Sequence, residues 1–250
     1  MSSVQHRRAA FRALHEKGCF VLPNPWDGGS AIRCAKAGFQ AIASTSAGAA
    51  WAIGKDDGEM TVDEVLDHLR FLSGVTDLPV NADFEAGFSD TAAGVAANVT
   101  RCIDTGVAGI SIEDRDGDKF FALDVAVERI KAARQAIDAS GQDLMLIGRC
   151  EAYLMKNIDM NAVLARLNAY GEAGADCLYA PGLKTLAQIK QKAGGVNKPV
   201  NANLTGTGLS VADMASVGVR RVSVGAAIAN ATYKQLDGFI EKLKVEGRLP

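Results

Sequence analysis

Short apolar runs and amphipathic stretches alternate eight times along this 250-residue chain, with no linker or low-complexity segment between them. Strict strand–helix alternation makes neighbouring strands parallel, because a helix must carry the chain back before the next strand can start. The first strand is Cys19-Phe20-Val21-Leu22-Pro23, and others follow near residues 38–45, 78–85, 109–114, 144–151, 177–180, 199–204 and 221–225. Four of them are announced by a helix-ending glycine pair, Gly38-Phe39, Gly106-Val107, Gly174-Ala175 and Gly218-Val219. Eight such units in about 250 residues match the size of a closed barrel. The expected fold is therefore α/β, a (β/α)8 TIM-type barrel forming a single domain over 1–250, with an N-terminal helix at about 4–18. A doubly wound open sheet is the alternative, but no G-x-G-x-x-G follows the first strand.

Bulk properties exclude several functions. A net charge of -2 leaves no electrostatic footprint for nucleic acid or an anionic membrane. The uncharged stretch Ala37 to Gly54 is rich in small residues and reads as a strand plus a loop rather than a membrane span. Five scattered cysteines without a C-x-x-C argue for reduced thiols and a cytoplasmic location, and against a zinc site or a disulfide framework. The segment from Met1 to Arg8 has no apolar core and is not read as a secretory signal.

In such barrels chemistry gathers at the C-terminal strand ends. Those ends carry Trp26 and Asp27, then Ser44, Thr45 and Ser46 with Asp57 in the following loop. Asp83 and Glu85 end the third strand, Glu113 and Asp114 the fourth, Arg149 and Glu151 the fifth, and Asn201 and Asn203 the seventh. Period-two alternation puts Asp83 with Glu85, and Arg149 with Glu151, on shared faces. Glu113 and Asp114 face apart, and alternation alone leaves open which of them points inward. Clustered acids on an interior face need a positive partner, and carboxylate oxygens suit Mg²⁺. Lysine is missing from the strand ends, which removes Schiff-base chemistry, and His6, His15 and His68 fall in helices or the N-terminal arm. Cys150 faces away from Arg149 and reads as an inert thiol, and Gly206-Thr207-Gly208 reads as an ordinary turn. The tools left are a metal, carboxylates, one arginine and backbone amides, which suit stabilising an enolate.

Six segments, taken in this order, resemble the isocitrate lyase/phosphoenolpyruvate mutase superfamily from about Phe20 to Gly225. They are Asn24-Pro25-Trp26-Asp27, Ser44-Thr45-Ser46-Ala47, Gly54 to Gly58, Asp83-Phe84-Glu85-Ala86-Gly87-Phe88, Ile112-Glu113-Asp114, and Gly148-Arg149-Cys150-Glu151-Ala152-Tyr153. The resemblance implies a Mg²⁺-dependent enzyme, with Mn²⁺ as a possible substitute, acting through an enolpyruvate intermediate on a small oxo-carboxylate. It implies Asp83 as direct metal ligand, with Glu85 and Glu113 holding metal-bound water, and so turns Glu113 inward. It implies Asp57, Arg149 and Glu113 as the catalytic set. For substrate it implies Trp26 as pocket wall and Thr45, Ser46 and Ala47 as the carboxylate loop; Asn201 joins them from its strand-end position. A homo-oligomer, dimer or tetramer, is the expected assembly.

Departures narrow the activity. The true lyases carry a Lys-Lys/Arg-Cys-Gly-His segment after the fourth strand, whereas this chain has only Arg115-Asp116-Gly117-Asp118-Lys119. A histidine that follows the sixth strand in the mutases is Ala180 here. Decarboxylation of oxaloacetate needs no proton donor at a leaving group and fits the short loop best. The alternatives are P–C bond chemistry of the mutase or phosphonopyruvate hydrolase type, and non-catalytic binding of a dicarboxylate.

Overall fold

Apolar runs of three to five residues do become strands, and the computed structural model describes residues 2–155 and 159–249. The strands are β1 (Phe20–Leu22), β2 (Ile42–Ala43), β3 (Val80–Asp83), β4 (Gly109–Glu113), a small hairpin of β5 (Arg115–Asp116) and β6 (Lys119–Phe120), β7 (Met145–Arg149), β8 (Cys177–Tyr179), β9 (Val200–Asn203) and β10 (Arg221–Ser223). Among the described residues, eight of them form one parallel sheet in the order β1-β10-β9-β8-β7-β4-β3-β2. The two outer strands meet where Ala43 N donates to Pro23 O at 2.9 Å, so the sheet closes into the expected barrel. No helix among the described residues is long and apolar enough to cross a membrane.

The helices are α1 (Val4–Leu14), α2 (Gly28–Lys36), α3 (Ser46–Ala52), α4 (Val62–Val75), α5 (Ala92–Ile103), α6 (Leu123–Ala139), α7 (Met160–Glu172), α8 (Leu186–Gly194), α9 (Val211–Ser216) and α10 (Ala227–Glu246). Most begin at a side-chain cap, and Thr61 with Glu64 forms the capping box that their spacing predicts. Two apolar layers result. One lies between helices and sheet, around Leu69, Val99, Ile110 and Leu146. The other fills the barrel, where Phe11 of α1 packs with Phe20, Leu22, Met145 and Ile147. Phe11 therefore plugs the N-terminal end of the barrel. Its helix is tied down by Arg7 and Arg8, which donate to Ser73 O at 2.7 Å and Ile103 O at 2.8 Å. These are orphan carbonyls at the ends of α4 and α5.

Three local expectations change. The small-residue loop after β2 is helix α3, because Thr45 caps it by accepting from Gly48 N and alanine supplies its interior. The polar loop after β4 is the hairpin β5–β6. Strand β3 stops at Asp83, and Glu85 takes a left-handed φ of 45°. Alternation therefore does not reach Glu85, and its position is set by the turn instead.

Candidate active site

The C-terminal ends of the strands surround a cavity of about 320 Å³. Its wall includes Thr45, Ser46, Ala47, Asp57, Asp83 and Arg149, with Asn201 deeper in the barrel. Most of the predicted substrate-binding residues thus converge. Trp26 does not line this cavity. It borders a neighbouring one with Arg33, Cys34 and Ile228, and its ring centroid lies 6.3 Å from that of Tyr233. Trp26 ends up there because the chain turns outward into α2, where Asp27 is spent as N-cap on Ser30 N at 2.6 Å. Asp27 is therefore a structural cap and not part of the strand-end chemistry.

Arg149 is the hub. Register places Glu113 of β4 beside Arg149 of β7. The guanidinium meets Asp83 Oδ1 at 3.1 Å, Glu113 Oε2 at 3.2 Å and Glu151 Oε1 at 2.5 Å. Asp83 is held from its other side, with Oδ2 accepting from Ser46 N at 3.2 Å and its own N–H donating to Ser44 Oγ at 2.8 Å. Glu85 is fixed by its backbone, whose carbonyl accepts from Glu113 N at 2.9 Å. Glu113 therefore points inward. Asp114 points outward to α7, accepting from Tyr170 Oη at 2.6 Å and pairing with Arg166 at 3.3 Å.

Asp83, Glu85, Glu113 and Glu151 gather around Arg149, with Arg115 reaching Glu113 Oε1 only at 4.0 Å, and of these four acids Asp83 alone lines the cavity. Burial pushes Glu85 up to about 7, with Asp83 and Asp57 adding to it and Arg149 opposing. Burial also drives Glu113 upward, opposed by Arg149 and reinforced by Glu151 and Asp83. Burial works against the charge of Arg149, but Glu113, Glu151 and Asp83 outweigh it and raise that group. Glu151 is fully buried and its Oε2 has no hydrogen-bond partner. An orphaned buried carboxylate oxygen, and two acids raised first by burial and then by neighbouring carboxylates, make a donor set that fits an added cation. Asp83, Glu85 and Glu113 are the residues that could hold a cation, and their all-oxygen donor set suits Mg²⁺ or Mn²⁺. Among the described residues no group of three or more His, Cys, Asp and Glu side chains is gathered tightly enough to hold a metal ion by direct ligation alone.

Outside the mouth, His15 and His68 are packing residues, lowered by burial to about 3 and about 4. Cys150 is fully buried, and burial raises its thiol beyond the reach of neutral pH. Two cations were missed. Lys184, in the loop after β8, lines the cavity and corrects the expectation that no lysine stands near a strand end. Arg221, the first residue of β10, lies inside the barrel. A charged residue at an inward-facing strand position was the available signal for Arg221.

The chain matches the family model described as phosphoenolpyruvate phosphomutase over residues 11–244. It is 34% identical to 2-methylisocitrate lyase of Escherichia coli (strain K12) over 209 residues, which span 78% of this chain and 69% of that enzyme. A Burkholderia cenocepacia J2315 protein provisionally named a lyase/mutase superposes with a TM-score of 0.95 at 41% identity, covering 98% of this chain and 91% of that one. The structure of 2,3-dimethylmalate lyase superposes with a TM-score of 0.89 at 27% identity, over 100% of this chain and 90% of that one. With the family match running through nearly the whole barrel, the chain belongs to the phosphoenolpyruvate mutase/isocitrate lyase superfamily.

Proposed function

We propose that this protein is a Mg²⁺-dependent lyase that cleaves a C–C bond of a small α-oxo-carboxylate or a 2-hydroxy di- or tricarboxylate by way of enolpyruvate, with oxaloacetate decarboxylation as the favoured reaction. The observation that carries the reading is the excess of carboxylate over guanidinium at the barrel mouth. In this reading Asp83 would hold the ion directly, Glu85 and Glu113 would hold it through its water, and Asp57 would stand beside it. A bound Mg²⁺ would supply Lewis acidity toward the oxo and carboxylate oxygens of the substrate. Arg149, kept charged and held in place by three acids, offsets the negative charge that develops on the enolate oxygen. Thr45, Ser46 and Ala47 receive the substrate carboxylate at the start of α3. The short hairpin β5–β6 brings no cysteine or histidine to the site, which favours a leaving group that needs no proton.

The five free cysteines support a cytoplasmic location, since a reducing compartment keeps thiols unpaired. Helix α10 supports a homo-oligomer, since Leu236, Phe239, Ile240 and Leu243 recur at helical spacing and stay 38–54% exposed. Lys184 keeps the P–C reading open, because a phosphonate would need positive charge beyond Arg149. The test is a pyruvate-release assay over oxaloacetate, substituted malates, isocitrates and phosphonopyruvate, with and without chelator. Chelator-sensitive release from oxaloacetate is the expected outcome. Release only from phosphonopyruvate would move the assignment to P–C chemistry, and tight Mg²⁺–oxalate binding without turnover would mark a binding protein.

A further inference from the structure

Decarboxylation sheds carbon dioxide but leaves an enolate, which must still gain a proton on carbon before pyruvate can leave in its keto form. The hairpin β5–β6 offers neither cysteine nor histidine for this step, so the wall of the barrel is the place for a donor. Strand β8 ends on Tyr179, which is 7% exposed and lines the cavity. Register pairs it with Arg149 on one side and Asn201 on the other. The guanidinium carbon of Arg149 lies 5.4 Å from the centroid of the Tyr179 ring.

The surroundings of this phenol prepare it to give up a proton. Asn203 Nδ2 donates to Tyr179 Oη at 3.3 Å. The other end of that amide is fixed, because Asn203 Oδ1 accepts from Thr205 N at 2.7 Å. Tyr179 Oη is therefore the acceptor in its bond with Asn203, and its own proton points elsewhere. Asn203 and Thr205 line the same cavity, which puts the phenolic oxygen at its wall. Burial keeps the phenol protonated at neutral pH, while Arg149, Asn203 and Ser223 favour the phenolate, with Glu151 opposing them. A general acid needs both properties, a proton held at working pH and support for the base it leaves behind. Lys184 also borders the cavity, but it is solvent-exposed on the loop after β8.

We propose that Tyr179 is a catalytic residue, the general acid that protonates the enolate carbon and turns enolpyruvate into keto pyruvate inside the barrel. The inference rests on the enolpyruvate reading of the mouth and supplies the step that completes it. The carbon–carbon double bond provides the electron pair of the new C–H bond. The phenolic O–H breaks and leaves its pair on Tyr179 Oη. The enolate oxygen gives up its charge as the C2 carbonyl re-forms, and solvent returns a proton to the phenolate. Asn203 holds the phenolic oxygen in one position through the exchange.

Tyr179→Phe keeps the ring against Arg149 and removes only the oxygen. With oxaloacetate and Mg²⁺, carbon dioxide and keto pyruvate are followed together, since lactate dehydrogenase reduces the keto form alone. In the wild type the two initial rates should be equal. In Tyr179→Phe keto pyruvate should appear at least about tenfold more slowly than carbon dioxide, because a general acid commonly contributes ~10²–10⁴-fold and the enol would leave unprotonated. Equal rates in Tyr179→Phe, unequal rates in the wild type, or a split found in Lys184→Met instead, overturn the proposal. A wild type that releases no carbon dioxide from oxaloacetate overturns the decarboxylase reading, and the proton step is then read on pyruvate itself, by NMR of methyl deuteration in D₂O with Mg²⁺. There a loss of at least about tenfold in Tyr179→Phe supports the general acid, and absent or undiminished exchange overturns it. Should Tyr179→Phe fail to fold, Asn203→Ala removes the N–H that supports the phenolate and should separate the two rates, or slow the exchange, by at least about threefold. An unchanged result there also overturns the proposal.

Discussion

At the barrel mouth Asp83, Glu113 and Glu151 crowd Arg149, whereas at the floor the hydrogen-bond partners of Arg221 among the described residues are Asn81 and Asn201. The first region has too much negative charge and the second has positive charge with no acid to answer it. Both are buried or nearly so, and neither imbalance helps the fold, because desolvated charge without a matching partner destabilises. The barrel can bear these costs because its stability comes from the apolar layer outside the sheet and the plug around Phe11.

The sharpest way to break the contrast is at the mouth. Asp83→Ala and Arg149→Ala should each lower kcat/KM for the best oxo acid by about 10²–10³, the usual cost of removing one electrostatic stabiliser. Steady-state pyruvate release measures this, and an Asp83→Ala variant with unchanged turnover would remove Asp83 from the metal site.

Next in size is a difference in how the two regions answer pH. Glu85 is raised from 4.5 to about 7, so its burial costs nothing below about pH 4.5, becomes destabilising as pH rises toward 7, and is constant above that. In chelated protein Glu85→Gln should match the wild type near pH 5 and melt a few degrees higher near pH 8. His15 at the floor has the opposite sign. Lowered from 6.5 to about 3, it leaves stability intact above pH 6.5 and withdraws it as pH falls toward 3. His15→Phe should therefore lose less stability than the wild type on acidification from about pH 7 to about pH 4, read by thermal unfolding. Parallel pH profiles for either variant and the wild type would show that the group does not carry the assigned imbalance.

The smallest effect belongs to Cys150, beside Arg149 in sequence but behind the strand. Cys150→Ala should change turnover by less than about twofold and stability by about 1 kcal/mol, the cost of a small buried deletion. A large loss of turnover would place the thiol in the chemistry and blur the boundary between the mouth and its supports.

Much of this architecture was legible in the chain because it depends on local rules. Alternation at periods of two and about 3.6 separates strands from helices, and eight repeats imply closure. Glu64 three residues after Thr61, or an arginine and a glutamate two apart at Arg149 and Glu151, are short-range relations that structure preserves. The acids at the ends of β3 and β4 could be placed beside Arg149 for the same reason.

Other features escaped because they depend on what closes around a residue. Which of Glu113 and Asp114 faces inward follows from register against Arg149, a partner 36 residues on, and not from their neighbours. Glu85 leaves strand alternation through a left-handed turn, and Trp26 leaves the cavity because Asp27 starts a helix. Arg221 looks like one more charged residue in the chain until the barrel closes. Local composition and spacing settled the elements and the chemistry available to them. Only tertiary closure decided which charges became neighbours, since burial and distance, not order along the chain, fix how strongly charges interact.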